Sequence, residues 1–366
     1  MVEYVGWRAS RTDGAGHQDK KASDHNIIKD TPITPNTMML STPKAVSKAV
    51  VFHTSTSSSE LDPNNDDDIV LITHTKSGAN CVLHKFGSHI LSYQTGSGKP
   101  LIMLSKDAIM DGSTAIRGGI PLCFPQFGQP DKSYPQHGFL RKNKWRVVEG
   151  SKFDADDAAG ISLELELKDV TEARGDGTWG NDTGLNVKCI FTVKIDGNSM
   201  NNTLAMENLG TEAFDFQVLL HTYYLVAMGK ALDNQLCNVT GFEGYLVDDK
   251  VSEQSYTQSS DPVTIPDSII DRVYSPPEGK IDLNLTIAAG VNNLVELKAH
   301  GSVDGKKVPV SGVVWNPHKI KAEAMGDFGS DQYNDMICVE PGLLANVIPK
   351  LEGSKTAIFT QVMTSI

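Results

Sequence analysis

Strict alternation of apolar and polar residues limits the fold of this chain more than any other feature of its sequence. Residues 161–167 read Ile-Ser-Leu-Glu-Leu-Glu-Leu, and the odd-numbered positions of residues 185–195 are all apolar. Successive side chains of a β-strand point to opposite faces, so this period predicts antiparallel strands with one buried face. Nearly every periodic segment is short and strand-like, which predicts an all-β fold, a large antiparallel β-sandwich.

Other segments repeat the strand signal between Gly-rich turns. Residues 214–226 are nearly continuous in apolar and aromatic residues, which predicts one strand covered on both faces. In its period-two phase Gln217, Leu219, His221 and Tyr223 share a face. One short helix is predicted at residues 319–325. Further strands are predicted at 69–72, 80–83, 89–93, 204–208, 308–315, 336–339 and 356–362.

The first 66 residues differ in composition from the rest of the chain. They are rich in charged residues, Ser, Thr, Pro and Gly without apolar periodicity, and residues 54–68 are almost entirely polar. Such a composition cannot bury enough apolar surface to fold alone. We therefore predict a flexible extension over residues 1–66 and one β-sandwich domain over residues 67–366. The whole chain contains 39% hydrophobic residues, and the second part is long enough for a sizeable core.

Charge and cysteine usage limit the partners and the compartment. The formal net charge of −12 argues against nucleic acid and anionic membranes as partners, and it requires any phosphate-binding site to be locally basic. Five cysteines occur without CxxC spacing, which is typical of reduced thiols and suggests no zinc site. Residues 174–184 resemble a calcium loop but lack its terminal Glu, so a hairpin loop is expected. The N-terminus lacks the hydrophobic core of a secretory signal peptide, and no apolar run is long enough to span a membrane, so the expected location is cytoplasmic.

Residues 117–145 combine arginines with residues that stiffen a loop. Arg117 and Arg141 lie among glycines, three prolines and aromatic residues. A guanidinium group presents a planar fork of donors that suits a phosphate or carboxylate, and two on a rigid loop would match a dianion. From the residues alone, two ordinary surface arginines remain an alternative.

Several short sequence motifs, and the order in which they occur, resemble those of the glucose-6-phosphate 1-epimerases, also called hexose-6-phosphate mutarotases, of the aldose 1-epimerase superfamily. The resemblance runs from about residue 67 to the end of the chain. The matching words are Ala115-Ile116-Arg117-Gly118-Gly119-Ile120-Pro121, Phe124-Pro125-Gln126-Phe127-Gly128, Gln136-His137-Gly138-Phe139, His221-Thr222-Tyr223, Asp271-Arg272-Val273-Tyr274, Val314-Trp315-Asn316-Pro317 and Cys338-Val339-Glu340-Pro341-Gly342.

The resemblance implies a galactose mutarotase-like supersandwich with its site in a cleft on one sheet face. It implies that Arg117 and Arg141 hold a 6-phosphate, and that the sugar is bound by Gln136, His137 and Asp271. Glu340 would be the base at O1, and His221 the acid at the ring oxygen O5. The residues alone would favour a structural role for His221 in the core, and they place Glu340 at the end of an apolar strand, before a rigid Pro-Gly turn. His137 could equally be a turn residue.

The expected substrate is a hexose 6-phosphate, chiefly glucose 6-phosphate, and the expected protein is a monomer. No cofactor and no metal are expected, because anomer exchange involves no redox change and no leaving group. Two alternatives remain. A non-catalytic sugar-phosphate-binding or regulatory protein would account for the long polar extension. A glycosidase would use Asp271 and Glu340 as its two carboxylates, but it has no evident need for the arginine pair.

Overall fold

A computed structural model describes residues 68–132, 134–166, 186–344 and 348–366. The predicted extension over residues 1–66 and the predicted hairpin loop over residues 174–184 lie outside these ranges, so both stay predictions. Within the described ranges, no helix has the length and apolar character needed to cross a bilayer.

The described residues form short strands almost throughout, as the alternating sequence predicts. The single α-helix of this part, α1 (His318–Glu323), confirms the helix predicted at residues 319–325. The strands are β1 (Ile69–Thr73), β2 (Asn80–His84), β3 (His89–Gln94), β4 (Leu122–Cys123), β5 (Arg146–Val147), β6 (Phe153–Asp154), β7 (Ala159–Glu166), β8 (Val187–Ile195), β9 (Ser199–Asn208), β10 (Phe214–Asp215), β11 (Val218–Leu220), β12 (Tyr223–Leu225), β13 (Cys237–Thr240), β14 (Leu246–Asp249), β15 (Gln254–Thr257), β16 (Ile270–Ser275), β17 (Leu283–Ala289), β18 (Leu294–Val303), β19 (Lys306–Val308), β20 (Ser311–Asn316), β21 (Met336–Leu343), β22 (Lys350–Leu351) and β23 (Thr356–Ser365).

Two large antiparallel sheets contain most of these strands. The ten-stranded sheet has the order β13-β17-β18-β23-β9-β8-β7-β5, with β19 beside β18 and β6 beside β7. The eight-stranded sheet has the order β15-β14-β16-β20-β21-β11-β4, and β12 also pairs with β21. Two smaller sheets are formed by β1-β2-β3 and by β10-β22. The predicted all-β, antiparallel architecture is therefore confirmed.

The main core lies between the two large sheets. On the ten-stranded sheet, Leu163, Phe191 and Leu204 lie opposite one another on β7, β8 and β9, and all three are buried. Across the interface Leu343 of β21 packs onto Gly301 of β18, where an added Cβ would lie 2.7 Å from a Leu343 methyl carbon. Glycine at 301 thus lets the sheets approach closely. Each large apolar side chain buried here contributes about 1.5–3 kcal/mol to stability.

The eight-stranded sheet also buries side chains on its other face, away from the ten-stranded sheet. Val314 and Val339 point into the main core, whereas Val313, Trp315 and Cys338 belong to a second apolar cluster. Since side chains alternate along β21, Glu340 lies on the same face as Cys338. The face that carries Val313, Trp315 and Cys338 is called the cleft face below.

Strand β21 corrects one prediction about Glu340. This residue was expected at a strand end, before a Pro-Gly turn, but β21 continues to Leu343 and Glu340 lies within it. Pro341 lies opposite Gly312 of β20, and Gly342 lies opposite both Ser311 of β20 and Leu219 of β11. A proline removes only one ladder donor, and pairing along both edges of β21 keeps the backbone extended.

The predicted continuous strand over residues 214–226 is also corrected. It is divided into β10, β11 and β12, and His221 lies in the break between β11 and β12. The backbone N–H of His221 donates to Pro121 O at 3.0 Å, and that of Thr222 donates to Leu220 O at 2.9 Å. These bonds to other partners interrupt the ladder with β21. The predicted facing is nevertheless confirmed for Leu219 and Tyr223, which both join the cleft-face cluster.

Candidate active site

The register of four adjacent strands brings the chemistry onto one patch of the cleft face. Asp271 of β16 lies opposite Trp315 of β20, Trp315 lies opposite Cys338 of β21, and Cys338 lies opposite Tyr223 of β12. Glu340 is two residues beyond Cys338 on the same face. Because these positions are set by sheet pairing, none of the five side chains depends on a loop for its placement.

His221 and Glu340 form a close, buried pair. The distance from His221 Nδ1 to Glu340 Oε1 is 3.5 Å, and the two residues are 9% and 1% exposed. The imidazole is stacked on Tyr223, with 4.9 Å between ring centroids and 13° between planes. Among the residues that the structure describes, neither His221 Nδ1 nor Glu340 Oε2 has a hydrogen-bond partner. Unsatisfied buried polar atoms are costly and often mark a functional site.

Electrostatics determine where the proton of this pair resides. Burial raises the pKa of Glu340 well above its ordinary value, and the nearby Asp271 carboxylate raises it further. Burial lowers the pKa of His221 well below its ordinary value, and His137, Arg141 and Arg117 add to this effect. Both shifts favour the neutral forms of the pair, a protonated carboxyl group next to a neutral imidazole.

The two predicted phosphate ligands are held in different ways. Arg117 donates from Nε to Asp327 Oδ2 at 3.2 Å and from Nη1 to the Tyr223 hydroxyl at 3.4 Å. Arg141 donates from Nη2 to the backbone carbonyl of Gln136 at 2.9 Å. The Nε atom of Arg141 is buried and has no hydrogen-bond partner within the described part of the chain. That group is available to an anion, for which Arg is well suited.

Glycines at two points pin the loops that carry these arginines. Gly119 has φ +64°, and an added Cβ would lie 2.1 Å from the carbonyl oxygen of Ile90. Gly138 has φ +73°, and an added Cβ would lie 1.8 Å from the carbonyl oxygen of Phe124. Both positions require the left-handed conformation and the close backbone approach that only glycine allows. The positions of Arg117 and Arg141 therefore depend on glycines two and three residues away in the sequence.

His137 lies in the same turn as Gly138 and close to His221. Its ring centroid is 5.8 Å from that of His221, and its Nδ1 accepts a hydrogen bond from the Gly128 N–H at 3.2 Å. Burial and the charges of Arg141 and Arg117 lower the pKa of His137 to about 3. The ring is thus neutral, and its Nε2–H remains as a donor.

Most of the predicted site residues meet at one cleft of about 150 Å³. Its lining includes Arg117, Gln136, Arg141 and His221. Glu340 and His137 are not among the lining residues, but both lie close to His221: Glu340 Oε1 is 3.5 Å from His221 Nδ1, and the two histidine ring centroids are 5.8 Å apart. Asp271 is on the same sheet face, near enough for its charge to act on Glu340. This locally basic cleft occurs in a protein of formal net charge −12.

Several residues of the site were not predicted from the sequence. Tyr223 stacks on His221 and accepts from Arg117, and its place in the word His221-Thr222-Tyr223 was the available signal. Lys142 and Thr114 also line the cleft, and Asp327 pairs with Arg117 across 210 residues of sequence without any local signal. The potential ligand atoms of His221, Cys338 and Glu340 all lie within 4.8 Å of one another. No spacing pattern in the sequence indicated that group.

Comparisons with known proteins agree with this arrangement. Residues 68–344 match the family model described as Aldose 1-epimerase. A protein of Cenchrus ciliaris named "Putative glucose-6-phosphate 1-epimerase" is 28% identical over 298 residues, which cover 80% of this chain and 83% of the relative. A protein of Escherichia coli K12 with the same name is 28% identical over 277 residues, covering 75% of this chain and 82% of the relative.

Solved structures show the same fold. A "putative mutarotase" of Salmonella typhimurium superimposes with a TM-score of 0.64 at 23% identity, covering 82% of this chain and 92% of the other. A "galactose mutarotase-like protein" of Clostridium acetobutylicum superimposes with a TM-score of 0.57 at 15% identity, covering 80% and 94%. The predicted galactose mutarotase-like fold is confirmed.

Proposed function

Because the chain belongs to the aldose 1-epimerase family, we propose that it interconverts the α and β anomers of hexose 6-phosphates, chiefly glucose 6-phosphate. One observation carries the proposal: two arginines line the same cleft as His221, which lies 3.5 Å from the buried carboxyl group of Glu340. The arginines supply a site for a dianion, and the imidazole and carboxyl groups supply a proton donor and acceptor. Neither feature alone would select a phosphorylated sugar as the substrate.

Anomer exchange requires a proton to leave O1 while another reaches the ring oxygen O5. The ring opens, the aldehyde carbon turns, and the ring closes from the other face. In this mechanism Glu340 is the base at O1 and His221 is the acid at O5, and their roles reverse on closure. Each such proton transfer contributes about 10² to 10⁴ in rate. Gln136, His137 and Asp271 bind the sugar, and Arg117 and Arg141 bind its phosphate.

The raised pKa of Glu340 favours its protonated form, so a proton has to move before Glu340 can act as a base. The positive charges of Arg117 and Arg141 are among the causes that keep His221 neutral. A bound phosphate dianion would offset these charges and favour the imidazolium form. The proton would then pass across the 3.5 Å gap from Glu340 to His221. In this way the phosphate would prepare the acid and the base for the reaction.

An anomer-specific coupled assay tests the proposal. A dehydrogenase that oxidises only the β anomer follows the conversion of freshly dissolved α-glucose 6-phosphate, and unphosphorylated glucose and galactose serve as controls. We expect this protein to accelerate the glucose 6-phosphate reaction far above its spontaneous rate, and to act much more weakly on the two free sugars.

Two other outcomes would favour the alternative functions. Tight binding of glucose 6-phosphate without any acceleration would indicate a non-catalytic sugar-phosphate-binding protein. Release of reducing ends from an oligosaccharide would indicate a glycosidase using Asp271 and Glu340. Equal acceleration of glucose and glucose 6-phosphate would contradict the role given to the arginines.

The proposal includes a cytoplasmic monomer. All five cysteines are buried and carry free thiols, as in proteins of reducing compartments. The groups assigned to acid–base chemistry and to phosphate binding come from a single chain, so a partner subunit is not required to complete the site. Size-exclusion chromatography with light scattering would test the monomer.

A further inference from the structure

We propose that His221, Cys338 and Glu340 form a binding site for a divalent cation of the zinc type, and that zinc bound there inhibits the enzyme. The metal site itself is independent of the proposed function, and only the inhibition rests on that function. The three side chains supply one nitrogen, one sulfur and one carboxylate oxygen, all within 4.8 Å of one another. This ligand set suits zinc and other borderline-soft metals better than magnesium or calcium.

The backbone places these ligands before any metal arrives. Cys338 and Glu340 are two residues apart on β21, so they share the cleft face, and β21 is paired on both sides. His221 completes the group from the break between β11 and β12, with its Nδ1 3.5 Å from Glu340 Oε1. Zinc bonds of about 2.0–2.3 Å place neighbouring ligand atoms roughly 3.3–3.7 Å apart. The longest separation in the group therefore has to shorten by only about 1 Å.

Two polar atoms of the group lack partners. Within the described ranges, no hydrogen bond is made by His221 Nδ1 or by Glu340 Oε2, and both atoms are buried. A cation between the two side chains would satisfy lone pairs that are otherwise unmatched. The three ligands also leave room in the usual four-fold coordination for a water molecule. Because His221 lines the cleft, that position is expected to face the cleft.

Charge supports a dication at this point. A thiolate and a carboxylate would neutralise the two positive charges, and the imidazole would bind in its neutral form. This balance matters because Arg117 and Arg141 are close. Their guanidinium groups would repel a bound metal ion whose positive charge was not neutralised by its ligands. Cys338 and Glu340 would bind a metal ion as thiolate and carboxylate, so metal binding releases their protons and affinity should fall at lower pH.

Cobalt(II) provides a probe that does not depend on activity. The full-length, metal-free protein is titrated with cobalt chloride and followed by absorption spectroscopy. We expect one equivalent to give a near-ultraviolet band from charge transfer between thiolate and cobalt, together with visible bands of a four-coordinate ion. The Cys338→Ser variant should lose the near-ultraviolet band. The matched control Cys189→Ser should keep it, since Cys189 is a buried thiol on β8 of the other sheet.

Zinc inhibition is measured separately, with each variant compared to its own zinc-free rate. The wild type should lose most of its activity at about one equivalent of zinc and recover it with a chelator. Cys338→Ser should need at least about 10-fold more zinc than the wild type to lose the same fraction of its activity. A missing charge-transfer band in the wild type, or one that survives in Cys338→Ser, would overturn the metal site. A normal band without inhibition would overturn only the inhibitory role, and a protein without epimerase activity would still report on the metal through cobalt.

Discussion

The two ends of the cleft are built differently. At the end assigned to acid–base chemistry, Glu340 lies within the paired strand β21, and His221 adjoins β11 and β12. At the end assigned to phosphate binding, Arg117 and Arg141 lie on connecting segments. Hydrogen bonds hold their side chains, and nearby glycines in the left-handed conformation hold the backbone of these segments. The first end depends on sheet register, whereas the second depends on local contacts.

The difference reflects what each task requires. Proton transfer needs donor and acceptor atoms held within a few tenths of an ångström, and paired strands provide that accuracy. A phosphate dianion has equivalent oxygens and accepts several donor arrangements, so a pinned loop is sufficient. We call the part of the site that contains His221 and Glu340 the strand end, and the part that contains Arg117 and Arg141 the loop end. Substitutions at the strand end should therefore lower mainly kcat, and substitutions at the loop end should raise mainly KM.

The largest effect is expected at the strand end. Replacing Glu340 by Gln keeps the size of the side chain but removes its ability to accept a proton from O1. We expect kcat for glucose 6-phosphate to fall by about 10² to 10⁴, with KM nearly unchanged. Glu296→Gln, on β18 of the other sheet, is the matched control and should retain wild-type rates. A Glu340→Gln enzyme of normal kcat would remove this residue from the mechanism.

The loop end should respond in the opposite parameter. Arg141→Ala removes a guanidinium whose buried Nε has no partner in the described structure. A charge-assisted hydrogen bond contributes about 1.5–3 kcal/mol, so KM for glucose 6-phosphate should rise about 10- to 100-fold. Arg141→Lys keeps the charge but loses the planar fork of donors. Its KM should lie between those of the wild type and Arg141→Ala.

A second cation nearby provides the control for charge alone. Lys106 pairs with Asp331 at 2.8 Å on the surface. The Lys106→Ala variant should change KM less than twofold or so, since an exposed pair contributes little. Equal effects of Arg141→Ala and Lys106→Ala would mean that overall charge, and not a specific contact, governs affinity.

Loop pinning can be tested with a pair of glycines. Gly138→Ala would place a Cβ 1.8 Å from the Phe124 carbonyl oxygen at φ +73°, whereas Gly150 has a similar φ of +71° and open space around it. Left-handed backbone costs alanine about 1–2 kcal/mol at either site. Urea unfolding should show a loss of at least about 2 kcal/mol for Gly138→Ala and a smaller loss for Gly150→Ala. Equal losses of unfolding free energy in the two variants would show that the close approach of residue 138 to the Phe124 carbonyl oxygen adds no cost.

How much of the molecule was predictable follows from the range of the interactions involved. The alternation at residues 161–167 is local, so strand β7 and its buried face could be predicted. The break at His221 could not, because it arises when Pro121, 100 positions earlier in the chain, accepts the His221 N–H. Likewise, the ladders on both edges of β21, and not the local Pro341-Gly342 pair, determine that Glu340 lies inside a strand.

The same distinction applies to the site. Arg117, Gln136, Arg141 and His221 were named from short words that resemble a family, and they line one cleft. Their protonation was not predictable, because it depends on burial and on charges brought together by folding. Burial raises the pKa of Glu340 and lowers that of His221, and neither shift can be derived from the short motifs that contain these residues. Asp327 was missed because nothing near it in sequence links it to Arg117.

The raised pKa of Glu340 should make the stability of the protein depend on pH. The folded pKa of Glu340 lies above its unfolded value, so below about pH 4.5 both states are protonated and the residue has no pH-linked cost. As pH rises through the window from there to the folded pKa, only the unfolded chain loses the proton, which favours unfolding. Glu340→Gln should therefore gain stability relative to the wild type as pH rises from 5 to 7. Urea titrations at pH 5 and 7 should show this gain growing with pH; a constant gain would contradict the raised pKa.

The smallest expected effect concerns a residue that only positions another. Asp327 accepts from Arg117 Nε at 3.2 Å, while the Tyr223 hydroxyl holds the opposite edge of the same guanidinium. In Asp327→Asn one of the two anchors is weakened, so KM for glucose 6-phosphate should rise about 3- to 10-fold at unchanged kcat, which corresponds to roughly 1 kcal/mol. Asp331→Asn, the same substitution at the exposed partner of Lys106, should leave both parameters unchanged. A fall in kcat for Asp327→Asn would show that the loop end also controls the chemistry of the strand end.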